Sequence, residues 1–381
     1  MPAARVDAAM SEVVASMVVP GATWAVVAGR HQNVHLGSAG RLERDAVFRI
    51  ASVTKPIVAV VALGLVDDGV LSLDAPVDRW IPELGARRVL RERGGALEDT
   101  VPAERPTTLR DLLMMGLGLG YDMATPADAP WQQAVGSSGI GSSWTTPVVR
   151  PDRWAQLAGA LPMAHQPGEG WLYQFSFDAI SVLIERATRR RLDLVLRERL
   201  LDRLDMHDTG YTVGLRDVDR VTSAWFPNRA GRYVEAAPWG DPRLMTVPVF
   251  RSGATGLLST AADLARFVQM LLRGGRGPRG RVISAASFDL LRTDQLAGAA
   301  DAMAHEFLEP DVGWGLGAGV DRVARFDGSH PGRFGWDGGT GTSLWVDPEA
   351  GVGGVVLTRQ GMGSPEPPDH LDAFWRAVHA P

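Results

Sequence analysis

The sequence predicts an α/β protein in which one sheet is assembled from the two ends of the chain, with a mainly helical region inserted between them. Three observations carry this expectation. Strand-like runs cluster before residue 50 and return after residue 312; the stretch from about 70 to 300 reads mostly as helix; and an almost wholly apolar helix follows the first strands. With 381 residues the chain suits one large body with an added region. Residues 1–70 and 300–381 are expected to form the sheet domain, and residues 71–299 the helical region, with a candidate site at their junction.

Residues 1–19 contain Arg5, Asp7 and Glu12 and read as an amphipathic helix rather than a secretory signal. Two short runs, 22–29 and 33–37, are split by Arg30-His31-Gln32 and read as a hairpin; 47–50 is a further short strand. Residues 56–68 are nearly all apolar, and a helix that is apolar on every side is buried. Helical patterns follow at 109–115, 153–161, 177–188, 192–201, 262–273 and 285–292, between long loops rich in Pro, Gly and Trp. Strand signals return at 314–320, 343–346 and 353–358, and a helix at 370–379 closes the chain.

The most informative residue stands at the head of the apolar helix. Of 39 basic residues, 38 are arginine and one is lysine, Lys55, in Phe48-Arg49-Ile50-Ala51-Ser52-Val53-Thr54-Lys55. Arginine stays protonated at any working pH, whereas a desolvated lysine can lose its proton and act as a base. Three-residue spacing on a helix brings the Ser52 hydroxyl and the Lys55 amine to one face, the arrangement a lysine needs to deprotonate a nucleophilic serine. Such a pair needs a second proton-handling group and backbone donors for an oxyanion. Only four tyrosines are present, and Tyr173 follows a Pro-Gly turn just ahead of a helix start, where a side chain can project into a cleft. The glycine cluster in Gly335-Trp336-Asp337-Gly338-Gly339-Thr340-Gly341, beside a strand, lets a substrate approach backbone N–H groups closely.

Composition removes other chemistries. With no cysteine there is no disulfide, thiol catalysis or cysteine metal site, and the eight histidines form no His-x-x-x-His pair with a nearby carboxylate. A net charge of −5 argues against a nucleic-acid surface. No apolar stretch reaches membrane-spanning length. The expectation is a cytoplasmic protein acting on a small ester or amide without metal or cofactor, with neither nucleic acid nor membrane as partner.

Taken in order, these segments resemble the serine hydrolases of the β-lactamase and penicillin-binding protein superfamily. The likeness is nearest to the branch holding class C β-lactamases, family VIII carboxylesterases and related D-amino-acid peptidases and acyltransferases. It spans nearly the whole chain and includes Leu71-Ser72-Leu73-Asp74-Ala75-Pro76-Val77, Thr108-Leu109-Arg110-Asp111-Leu112-Leu113 and Trp171-Leu172-Tyr173-Gln174-Phe175-Ser176-Phe177-Asp178. It also takes in Gly253-Ala254-Thr255-Gly256-Leu257-Leu258-Ser259. The resemblance implies the β-lactamase/transpeptidase-like fold, an antiparallel sheet flanked by helices. It further implies that Ser52 forms an acyl-enzyme, that Lys55 takes its proton with or without Tyr173, and that the backbone N–H groups of Ser52 and Gly339 hold the oxyanion. Trp336, Asp337, Gly338 and Phe175 are expected at the substrate.

Three departures from the family pattern shape the expected specificity. Trp336-Asp337-Gly338 stands where relatives carry Lys-Thr-Gly or His-x-Gly, so the cation that meets a substrate carboxylate is gone. Phe175 replaces an asparagine amide, and Met114-Met115-Gly116-Leu117-Gly118-Leu119-Gly120 replaces a polar turn, an apolar and flexible wall. Together they point to a carboxylesterase for neutral, apolar acyl groups. The alternatives are an acyltransferase to an amine or alcohol, β-lactamase or D-aminopeptidase activity, and a penicillin-binding protein without turnover. Trp225, Trp239 and Trp314 are weaker pocket candidates, Asp337 could meet a substrate amine, and His165 is expected to be structural.

Overall fold

A computed structural model describes residues 2–16, 18–141 and 145–380. Seven strands form one antiparallel sheet: β1 (Gly21–Ala28), β2 (Asn33–Gly40), β3 (Val312–Trp314), β4 (Gly319–Asp321), β5 (Phe334–Gly338), β6 (Thr342–Asp347) and β7 (Val352–Thr358). Their spatial order is β3-β4-β5-β6-β7-β1-β2, so the first strand pairs with the last, Ala22 opposite Thr358. Five helices matter for the site: α1 (Ala3–Ala15), α2 (Thr54–Asp67), α3 (Ser176–Thr188), α4 (Ala261–Leu272) and α5 (Asp369–His379).

Helices cover both faces of this sheet. Every residue of β1 is buried, and its sequence is correspondingly apolar except for Thr23, rather than alternating. Trp24 and Val26 pack with Val6 and Met10 of α1 and Phe374 of α5, while Ala25 and Val27 join the central core. Within α2, Thr54 to Leu63 and Leu65 are buried, so the composition of this helix follows from having core on every side. Gly69, at φ +71°, ends it in the left-handed conformation that only glycine adopts cheaply.

Some expectations are corrected. The run at 314–320 is a hairpin of β3 and β4, broken at Gly317 with φ +107°. The pattern at 192–201 divides into an α-helix, Leu192–Leu196, and a π-helical turn, Arg197–Leu201. Helices Pro130–Ser137 and Gly298–Ala304 form without a strong apolar period, and Phe334–Gly338, read as a glycine-rich loop beside a strand, is itself β5. The segment 114–120 is no flexible wall: Met115, Leu117 and Leu119 are fully buried, and the Leu117 N–H donates to the Ser176 hydroxyl at 3.1 Å. Of the helix expected over residues 1–19, Met1 and Met17 lie outside the described residues. No helix among the described residues is long and apolar enough to cross a membrane.

Candidate active site

Ser52 sits in a single 3₁₀ turn, Ala51–Val53, that runs straight into α2. The turn is strained: Ala51 has φ +42°, a conformation costly for any residue with a Cβ. Neighbouring chain over-determines it. The Ile50 N–H donates to Leu257 O at 3.0 Å, and the Thr340 and Thr342 hydroxyls donate to the carbonyls of Arg49 and Ile50 at 2.5 and 3.1 Å. Gly338 leaves no room for a side chain, since a Cβ there would stand 2.4 Å from Ile50 O. The end of β5 is therefore clamped onto the backbone just ahead of the serine.

Lys55, one helical turn on, is fully buried. Its Nζ lies 2.8 Å from Ser52 Oγ, 3.1 Å from Gln174 Oε1 and 2.8 Å from Ala254 O. Burial pushes the amine well below its ordinary pKa, against the opposing pull of the Asp178 carboxylate. Asp178, in the first turn of α3, is buried and accepts a hydrogen bond from Ser252 Oγ.

Tyr173 also stands beside the serine. Its backbone pairs with Tyr121, and its ring stacks on Phe307 with centroids 4.3 Å apart. Lys55 Nζ sits 4.4 Å from the ring centroid. The phenol is hydrogen-bonded to the Ser52 side chain and accepts from Trp336 Nε1 at 2.7 Å. Burial raises its pKa well above the usual tyrosine value, and these two hydrogen bonds only partly oppose that. Trp336 is held edge-on against Trp314, centroids 4.7 Å apart, and the Trp314 indole is itself anchored to Leu113 O.

A cavity of about 750 Å³ opens over these groups, lined near the serine by Tyr121, Met123, Tyr173, Phe226, Phe307 and Trp336. Ser52 and Gly339 both border it. Arg93 bridges its two rims, donating to Asp122 at 2.8 Å and to Glu306 at 2.7 Å.

Two expected contacts are placed differently from Trp336. Consecutive strand residues point to opposite faces, and Asp337 lies opposite Ser343 while Trp336 lies opposite Leu344. The Asp337 carboxylate therefore points to the opposite face of β5 from Trp336, where it still borders the cavity and accepts from the Trp345 indole at 3.0 Å. Phe175 does not line the cavity; it is 3% exposed and packs edge-on against Tyr121. Of the weaker candidates, Trp225, Trp239 and Trp314 do not line it either, and His165 is buried with Nδ1 against Gln166 O. Gln174 escaped the sequence reading. It supplies from one position earlier the amide that Phe175 lacks, and its signal was a lone amide within the apolar run from Trp171 to Phe177.

The profile of the family described as Beta-lactamase matches residues 6–378. Esterase EstB of Burkholderia gladioli is 30% identical over 396 residues, covering 95% of this chain and 92% of that protein. Lovastatin esterase of Penicillium rubens is 28% identical, covering 82% of this chain and 79% of that protein. Among solved structures, EstCE1, described as a hydrolase with promiscuous acyltransferase activity, superposes with a TM-score of 0.81 at 22% identity. That superposition covers 100% of this chain and 98% of the other.

Proposed function

Since this chain belongs to the Beta-lactamase family and is a serine hydrolase of its esterase and acyltransferase kind, we propose that it cleaves esters of neutral, apolar acids through an acyl-enzyme on Ser52. The observation that carries the reading is one fully buried lysine within 2.8 Å of that hydroxyl.

Donor and acceptor capacities give the reading its direction. An uncharged lysine has two N–H groups and one lone pair; the N–H groups go to Gln174 Oε1 and Ala254 O, leaving the lone pair for the Ser52 proton. An indole N–H can only donate, so Trp336 fills a lone pair of the Tyr173 oxygen and turns the phenol proton toward Ser52. Lys55 is thus the base in acylation. Tyr173, kept protonated by burial, is the acid that delivers a proton to the leaving oxygen. Water then enters, Tyr173 and Lys55 exchange roles, and the acid is released. The N–H groups of Ser52 and Gly339 receive the oxyanion. The aromatic walls beside the serine offer no cation to a substrate carboxylate, in keeping with neutral acyl groups.

Intact-mass spectrometry after exposure to a fluorophosphonate tests the assignment. One adduct, located on Ser52 and absent from Ser52→Ala, is expected; an adduct on another serine, or none, sinks it. Trp336→Phe should lower kcat/KM toward p-nitrophenyl butyrate by about three- to tenfold, the worth of one net hydrogen bond. Loss of the indole donor should also leave KM nearly unchanged, which steady-state kinetics can read.

Transfer of the acyl group to an alcohol instead of water is the second reading. The size of the cavity favours it, because its space continues well past the aromatic pocket beside Ser52. Product analysis with a competing alcohol separates the two, since a transferase forms the new ester in excess over free acid.

A further inference from the structure

Past Trp336 and Phe307 the same cavity runs along the edge of the sheet beneath α5, and its chemistry changes. Seven carboxylate side chains border the whole space against two guanidiniums, Arg325 and Arg333. Both cations are already committed. Arg333 donates to Asp321 Oδ2 at 2.6 Å and to Asp327 Oδ2 at 2.7 Å, and lies over the rings of Trp345 and Trp375 at 4.8 and 5.5 Å. Arg325 is bound to Glu309.

Asp321 is the telling residue. It ends β4, borders the cavity and is 1% exposed. Its second oxygen, Oδ1, accepts no hydrogen bond among the described residues; Arg325 Nε lies 3.9 Å away, at ion-pair rather than hydrogen-bond distance. A buried carboxylate oxygen without a donor keeps unused acceptor capacity. Asp372, on α5, lines the same space, and burial raises its pKa and lifts that of Asp321 to about 6. Surplus negative charge beside the aromatic rings of Trp345 and Trp375 suits an organic cation, which both features attract.

We infer that this far arm is a subsite for a cationic amine carried on the alcohol portion of the substrate or acceptor, with Asp321 as its principal partner. The inference rests on the reading of Ser52 as the acylated nucleophile. The acyl group occupies the aromatic pocket, and the charged alcohol extends past Trp336 toward Asp321.

Two esters of equal shape separate charge from size: 2-(trimethylammonio)ethyl butyrate and 3,3-dimethylbutyl butyrate. The wild type should favour the charged ester in kcat/KM by about tenfold, the scale of a desolvated cation held by a carboxylate and aromatic rings. Asp321→Asn keeps the hydrogen bond to Arg333 and should bring the ratio toward one; Asp372→Asn should lower it in part. A wild-type ratio at or below one, or a ratio unchanged in both variants, overturns the inference while leaving the esterase reading intact. Calorimetric titration of choline into Ser52→Ala reads the subsite without turnover. Saturable binding that weakens in the Asp321→Asn background supports it even where neither ester is cleaved, and no binding overturns it. A preference abolished by millimolar calcium at constant ionic strength assigns the arm to a metal ion and also overturns it.

Discussion

Replacing Lys55 with methionine is expected to lower kcat/KM toward p-nitrophenyl butyrate by roughly 1,000- to 10,000-fold, the upper part of what a positioned base contributes. Methionine fills similar space without a basic nitrogen, so the loss reports chemistry more than packing. Arginine should be equally inactive, because a guanidinium stays charged where Lys55 is fully buried. The pH profile carries the same argument. Burial lowers the amine's pKa, so wild-type activity should fall as pH drops through that lowered value and the base becomes protonated. Tyr173 is shifted the other way, so the alkaline limb should lie above its ordinary value of 10.0. Stability gives an independent check. Between the lowered pKa and the ordinary 10.5, the unfolded chain holds one proton more than the folded one, so this residue makes the fold more stable as pH rises through that window. Lys55→Met removes that dependence, and at neutral pH it should melt no lower than wild type; a collapse of the melting temperature would falsify the catalytic explanation of its inactivity.

Tyr173→Phe should cost about 100-fold in kcat/KM, within the range for a group that moves a proton in the transition state. Its ring contacts with Phe307 and Trp171 survive the substitution, so substrate binding should change little. The effect should fall on kcat. Trp336 acts only through the phenol oxygen in this scheme, so the double variant Tyr173→Phe/Trp336→Phe should be scarcely worse than Tyr173→Phe alone. Full additivity in that cycle sinks the proposed relay.

What could be read from the chain and what could not divide along physical lines. The burial of α2 was legible because a helix surrounded by core must be apolar around its whole circumference, and Ser52 and Lys55 were legible because their spacing is set by the helix itself. Which way Asp337 faces was not legible, because a strand's facing depends on its pairing register, and a shift of one residue exchanges the faces. Nothing in Gly335-Trp336-Asp337-Gly338 states that Trp336, rather than its neighbour, meets the Tyr173 phenol; the pairing with Leu344 does. The choice between Gln174 and Phe175 is similar. The turn into α3 decides which of two adjacent side chains reaches Lys55, and that turn is fixed by contacts with Tyr121 and Met115, distant in sequence. The hairpin between β3 and β4 hinged on a positive φ at Gly317, one of several glycines nearby with equal title to a turn.

The pairing of β1 with β7 also governs how the polypeptide is born. Residues 21–28 leave the ribosome more than 300 residues before their partner, residues 352–358, is made. At about 5–20 residues per second the gap amounts to tens of seconds. Throughout that interval one edge of a mostly apolar strand has no mate, and neither the sheet nor the clamp on Arg49 and Ile50 can close. Catalytic competence therefore arrives only once residues 352–358 have been made and paired.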